Sequence, residues 1–214
     1  MSTADSQPRP RVAVIDYGMG NLRSVSRALI AAGADAYLAT HPRDAEKAEA
    51  VVFPGQGAIT DCMDCLSRTS FDAFLKEWIK SDKPFLGVCL GLQALFERSE
   101  EGNRAGLGIF PGVISRFESM PRLRIPHMGW NEAIFRESGP LTEGIKVEGE
   151  PFYFVHSYRL VKTEESLVWC ETDYAGRFVS GIKRGRVLAT QFHPEKSQVK
   201  GLQIYRNFLT LVNR

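Results

Sequence analysis

The run Phe85-Leu86-Gly87-Val88-Cys89-Leu90-Gly91-Leu92-Gln93 constrains this chain more than any other stretch. A short apolar segment ends in Gly87, Cys89 and Gly91, and an apolar helical pattern follows at once in Leu92, Leu95 and Phe96. That is the strand–turn–helix setting of a nucleophile elbow, G-x-S-x-G, with Cys in place of Ser. A residue on so sharp a turn takes a strained backbone, and side chains two positions to either side would strike the adjoining strand and helix, hence the glycines. The turn raises the sulfur above a sheet at a helix N-terminus, where free N–H groups stabilise a thiolate and can later hold an oxyanion. A structural cysteine between two packing glycines is the alternative, so a base must be found elsewhere.

The flanks agree with a sheet. Arg11 to Asp16 is a nearly continuous apolar run, read as a strand buried on both faces. A helix carrying Leu22, Val25, Leu29 and Ile30 on one face follows and stops at Gly33. Short strands are expected over 36–39 and 50–53, helices over 58–66 and 70–80, and then the elbow strand. Alternation at this spacing gives a mostly parallel sheet flanked by helices. Ligands bind beyond the carboxyl ends of such strands, where Gly18, Gly55 and Cys89 fall, so these loops should converge. From Gly112 to Gln191 the runs are short and strand-like, at 113–117, 133–135, 152–155, 168–171, 178–182 and 187–191. They predict antiparallel additions in the C-terminal half. A closing helix carries Val199, Leu202, Tyr205, Phe208, Leu209 and Val212. With no linker and no repeat, residues 11–214 read as a single domain behind a polar, disordered tail at 1–10.

Composition narrows the function. The net charge of +2 over 214 residues gives no general pull toward nucleic acid or membrane. No apolar run approaches the roughly 20 residues of a membrane span. No hydrophobic signal region opens the chain, so a cytoplasmic protein is expected. Four cysteines in a chain this long do not form a disulfide framework. Cys62-Met63-Asp64-Cys65 lies in a predicted helix without a second pair or nearby histidines, so it reads as structural thiols and neither metal nor cofactor is expected.

The base is at the other end of the chain. Val187 to Phe192 is a strand leading into His193-Pro194-Glu195. Pro194 biases His193 toward an extended backbone, in which residues i and i+2 point the same way. Glu195 can then hold one imidazole nitrogen and leave the other free for the thiol. The glycines of Pro54-Gly55-Gln56-Gly57 let a backbone turn N–H groups toward a ligand, and a second N–H would come from Leu90; an ordinary glycine turn is the alternative. Gln93 lies one helical turn after Cys89, where its amide could hold a polar substrate.

Taken together, Pro54–Gly57, Gly87–Gln93 and His193–Glu195 resemble the class I glutamine amidotransferase family, whose fold is flavodoxin-like. Pro126-His127-Met128-Gly129-Trp130-Asn131, Tyr153-Phe154-Val155-His156-Ser157-Tyr158 and the Gly18–Asn21 turn are similar, within it, to glutaminase subunits of imidazole glycerol phosphate synthases. The resemblance runs from about Arg11 to the C-terminus. It implies that Cys89 attacks the side-chain amide of glutamine, and that the oxyanion rests on Leu90 and the loop of Gly55, Gln56 and Gly57. It implies that Gln93, Tyr153, His156 and Ser157 line the glutamine pocket, and that His193, oriented by Glu195, passes the protons. The family tolerates various residues at Gln56, so the flanking glycines matter more than that side chain. The implied partner is a β/α-barrel cyclase, forming a heterodimer and using the ammonia to make imidazole glycerol phosphate and an aminoimidazole carboxamide ribonucleotide in histidine biosynthesis. Met128 and Trp130, in a Gly-containing loop, suit an interface anchor, and Asn21, Asn131 and Lys196 join that surface by family match. The alternatives are a glutaminase serving another synthase, of vitamin B6 or anthranilate type, and a stand-alone γ-glutamyl hydrolase.

Overall fold

The computed structural model describes residues 8–121 and 123–212. The greater part of the expected N-terminal tail, residues 1–7, lies outside the described residues. In chain order come β1 (Arg11–Ile15), α1 (Leu22–Ala32), β2 (Asp35–Ala39), α2 (Pro42–Ala45), β3 (Ala50–Gly55), α3 (Ile59–Arg68), α4 (Phe71–Lys80), β4 (Phe85–Cys89) and α5 (Leu90–Gln93). Then follow β5 (Phe96–Ser99), β6 (Arg104–Ala105), β7 (Phe110–Arg116), β8 (His127–Phe135), β9 (Glu150–His156) and β10 (Tyr158–Leu160). Last are β11 (Val168–Asp173), β12 (Arg177–Arg184), β13 (Val187–Thr190) and α6 (Gln198–Leu209).

The central path of the sheet runs β2-β1-β3-β4-β13-β12-β10-β7-β5-β6, with β11, β8 and β9 continuing from β12. The strands from β2 to β13 are mutually parallel. Period-two alternation fills both faces. Ala13, Ile15, Val51, Phe53 and Phe85 pack on one side with Ile59, Leu66, Phe71 and Leu75 of α3 and α4. Val12, Val14, Val52, Leu86 and Val88 pack on the other with Val25, Leu29, Ile204 and Phe208 of α1 and α6. Each buried Val, Leu, Ile or Phe among them contributes about 1.5–3 kcal/mol. This two-sided core holds the strand ends that carry the site.

Several expectations change. The apolar pattern after the elbow is not a long helix: α5 is one turn, and Phe96 opens a strand. Tertiary partners take the next carbonyls, with Leu107 N–H donating to Ala94 O at 2.7 Å and Ile109 N–H to Leu95 O at 2.9 Å. The second half is not purely antiparallel, because β13 returns beside β4 in parallel and β5 pairs with β7 in parallel. Ile30 is 48% exposed, since the buried stripe of α1 runs through Val25 and Leu29 and Ile30 lies about 100° further round. Val199 of α6 is likewise exposed.

Candidate active site

Cys89 ends β4 and caps α5 with φ 56° and ψ −105°. This left-handed conformation is costly for a residue with a Cβ and is held by its surroundings. The glycines explain how. A Cβ on Gly87 would lie 2.7 Å from Gly91 O, one on Gly55 2.6 Å from the Leu90 Cβ, and one on Gly91 would strike Phe53 O. β3, β4 and α5 therefore meet closer than side chains allow. Gly55 is in register with Cys89, and Gly20 approaches Pro54 O, so the expected convergence of the three loops is present.

β13 runs beside β4 with Thr190 opposite Val88, and this register delivers the following residues to the elbow. His193 is extended (φ −100°, ψ 97°), but Glu195 sits in a 3-10 turn, Pro194–Lys196. The turn, rather than an extended i/i+2 pair, puts Glu195 Oε1 2.8 Å from His193 Nδ1. Both side chains are buried. The His193 backbone is tied on both sides, its N–H donating to Tyr153 O at 2.9 Å and its carbonyl accepting from Ser197 Oγ at 2.7 Å. His193 Nε2 is buried without a well-formed hydrogen bond of its own. Burial works to lower the ring's pKa. The charge of Cys89 and hydrogen bonding to it, then Glu195, outweigh that and raise it to about 10. A ring that keeps its proton beside the sulfur is the partner a thiol nucleophile needs.

Cys89, Leu90, Gln93, Gln56, Gly57, His156, Ser157, His193 and Lys196 border one cavity of about 350 Å³. That lies within the range of small-molecule sites. Opposite the elbow, the pocket wall rests on a buried chain of polar contacts. His156 Nδ1 donates to Tyr158 O at 2.8 Å, which leaves His156 Nε2 to accept from His127 Nδ1 at 3.0 Å. His127 Nε2 then accepts from Asn131 Nδ2 at 3.1 Å. The hydrogen-bond partners fix both tautomers and require both rings neutral. Burial lowers their pKa values accordingly, to about 4 for His127 and about 3 for His156. His127 is also stacked between Tyr174 at 4.0 Å and Phe154 at 4.8 Å.

A model of the family described as Glutamine amidotransferase class-I matches residues 13–212. The chain belongs to the class-I glutamine amidotransferase family. It is 50% identical over 207 residues to a Chromobacterium violaceum protein named Imidazole glycerol phosphate synthase subunit HisH, covering 93% of this chain and 97% of that one. An Aquifex aeolicus protein of the same name is 48% identical over 200 residues, covering 92% and 95%. Among solved structures, PurLQS from Thermotoga maritima superposes with a TM-score of 0.75 at 18% identity, covering 95% of this chain and 99% of that chain. That likeness speaks for the fold alone.

As a glutamine amidotransferase, the chain places most of the expected site residues together and some apart. Tyr153 does not border the cavity. Its ring faces Trp130 at 6.2 Å, with Lys196 Nζ 5.8 Å from its centre. Met128 and Trp130 lie on strand β8, not in a loop, because β8 pairs with β9 from His127 onward. Alternation on β8 leaves Met128 62% and Trp130 50% exposed while His127 turns inward. Asn131 donates to Asp173 O at 2.9 Å as well as reaching His127, so its amide is directed into the protein. Asn21 precedes α1 without a side-chain cap bond. Cys62 and Cys65 are free thiols, and no metal-binding cluster occurs among the described residues. Among those residues, no helix is long and apolar enough to cross a membrane.

Sequence reasoning missed Glu101, Pro126, Val155 and Tyr158, which also border the cavity. It also missed Gln191, which is fully buried. A glutamine ending an apolar strand just before the base was the available clue.

Proposed function

We propose that this chain is the glutaminase subunit of an imidazole glycerol phosphate synthase. The supporting observation is a thiol on a strained, glycine-packed elbow beside a buried imidazole whose far nitrogen is held by Glu195 at 2.8 Å. The 50% identity to a subunit of that name supports the choice among synthases. Residues 11–214 then act as one glutamine amidotransferase domain, in the cytoplasm.

The Cys89 thiolate attacks the side-chain amide carbon of glutamine. The oxyanion is held by the Leu90 N–H and by N–H groups of the Gly55-Gln56-Gly57 loop. His193 gives its proton to the amide nitrogen, ammonia leaves, and a γ-glutamyl thioester remains on Cys89. His193 then takes a proton from water, which attacks the thioester and releases glutamate. Gln93, His156 and Ser157 shape the substrate pocket. Tyr153 acts through its backbone, its carbonyl accepting from the His193 N–H at 2.9 Å and so holding the base in place.

Ammonia released into water near neutral pH is mostly protonated and loses its nucleophilicity, so the product is delivered to a partner. The exposed Met128 and Trp130 on β8 offer an apolar anchor to a β/α-barrel cyclase, and Lys196 lines the cavity. The test measures glutamate release by the chain alone, with the imidazole glycerol phosphate cyclase, and with synthase subunits of the vitamin B6 and anthranilate type. Stimulation by the imidazole glycerol phosphate cyclase alone is expected. Full turnover without any partner would favour a stand-alone γ-glutamyl hydrolase, and stimulation by another synthase would replace this assignment.

A further inference from the structure

Gln191 is fully buried, one residue beyond the Thr190–Val88 register pair, and therefore lies alongside Cys89. Its backbone N–H donates to Ser180 O at 2.8 Å, which anchors it to β12. Its side-chain Nε2 lies 3.5 Å from Cys89 Sγ. The amide orientation follows from its neighbours. Gln93 Nε2 donates to the carbonyl of Tyr158 at 3.0 Å, so that atom is a nitrogen. The same Gln93 Nε2 is 3.0 Å from the other terminal atom of Gln191, which must then be the acceptor Oε1. Only the Nε2–H of Gln191 is left to face the sulfur. Tyr158 O is itself held by His156 Nδ1 at 2.8 Å, so the end of the chain is fixed.

We propose that Gln191 is a further catalytic group, whose Nε2–H donates to Cys89 Sγ and stabilises the thiolate. A hydrogen bond to a charged group is stronger than one to a neutral group, so the donor favours the anion over the thiol. The Tyr158–Gln93–Gln191 chain presets the donor before glutamine arrives, and no reorganisation is needed as the sulfur charges. Gln93 consequently has two tasks: its oxygen remains for substrate, while its nitrogen fixes Gln191.

This inference rests on Cys89 being the nucleophile, and the test separates the two. Cys89 alkylation by iodoacetamide is followed by peptide mass spectrometry across pH in the parent, Gln191→Met and Gln191→Glu, alongside glutaminase kinetics with the cyclase present. Gln191→Met keeps the length without the donor. It should move the alkylation profile up by about one pH unit and lower kcat about tenfold, with KM changed much less. Gln191→Glu keeps shape and the acceptor for Gln93 but sets a carboxylate against the thiolate. It should lose more than Gln191→Met above neutral pH, whereas a purely structural role predicts the reverse order. Unshifted alkylation profiles in either folded variant would overturn the proposal while leaving the nucleophile in place. Full activity of Cys89→Ala would instead remove the reading beneath it.

Discussion

The neutral His127–His156 pair makes acid stability a direct probe of this site. Both folded-state pKa values are depressed, to about 4 and about 3, against about 6.5 in the unfolded chain. Below pH 6.5 the unfolded chain therefore binds more protons, and stability falls with pH. The contribution of each ring is present above pH 6.5 and is lost as pH drops toward 4 and 3. From pH 7 to pH 5 each ring accounts for about 2 kcal/mol, up to about 4 kcal/mol for the pair. That is a large share of the 5–15 kcal/mol of an ordinary domain. His193 works in the opposite sense, its pKa being raised, so its stabilisation is fully present below 6.5 and fades toward pH 10. His127→Phe keeps the stack between Tyr174 and Phe154 but cannot be protonated. Urea midpoints for parent and variant at pH 7 and pH 5 isolate the histidine term. The parent should lose about 2 kcal/mol more than the variant over this interval, about 1–2 M in midpoint. Equal losses in both proteins would refute the buried neutral pair.

Gly91→Ala would press a Cβ onto Phe53 O, a backbone atom that cannot swing away. It should cost about 1–3 kcal/mol in urea unfolding and displace the elbow enough to abolish glutamate release; a stable, active variant would speak against the close-packed elbow. Glu195→Gln removes the anionic acceptor of His193 Nδ1. Steady-state assays should show kcat reduced about 100-fold or more, with folding retained. Trp130→Ala removes an exposed ring and should leave the melting temperature within about 2 °C while weakening cyclase binding by about 2 kcal/mol in titration calorimetry. Equal affinity in that titration would move the partner to another face.

The parallel half of the fold was legible because its strands are buried on both faces and its turns carry glycines. Val12 to Ile15, Val51 to Gly55 and the elbow each state their own place. The elbow was legible for the same reason, since its strained geometry demands Gly87, Gly55 and Gly91, and demand leaves residues behind. Other features depend on partners far along the chain. The one-turn α5 was hidden because Ile109 and Leu107, not the local sequence, take up the backbone carbonyls after Gln93. The strand at Met128 and Trp130 reads as a loop until β9 supplies the pairing. Gln191 resembles any strand-ending polar residue until β13 is seen returning beside β4.

In the proposed mechanism Cys89 carries the glutamyl group during turnover. Rapid acid quenching of the complex during glutamine hydrolysis, followed by peptide mass spectrometry, reads this directly. A γ-glutamyl thioester is expected on the peptide containing Cys89, absent from Cys89→Ala, which should also release no glutamate. A glutamyl adduct on another residue, or undiminished hydrolysis by Cys89→Ala, would contradict it.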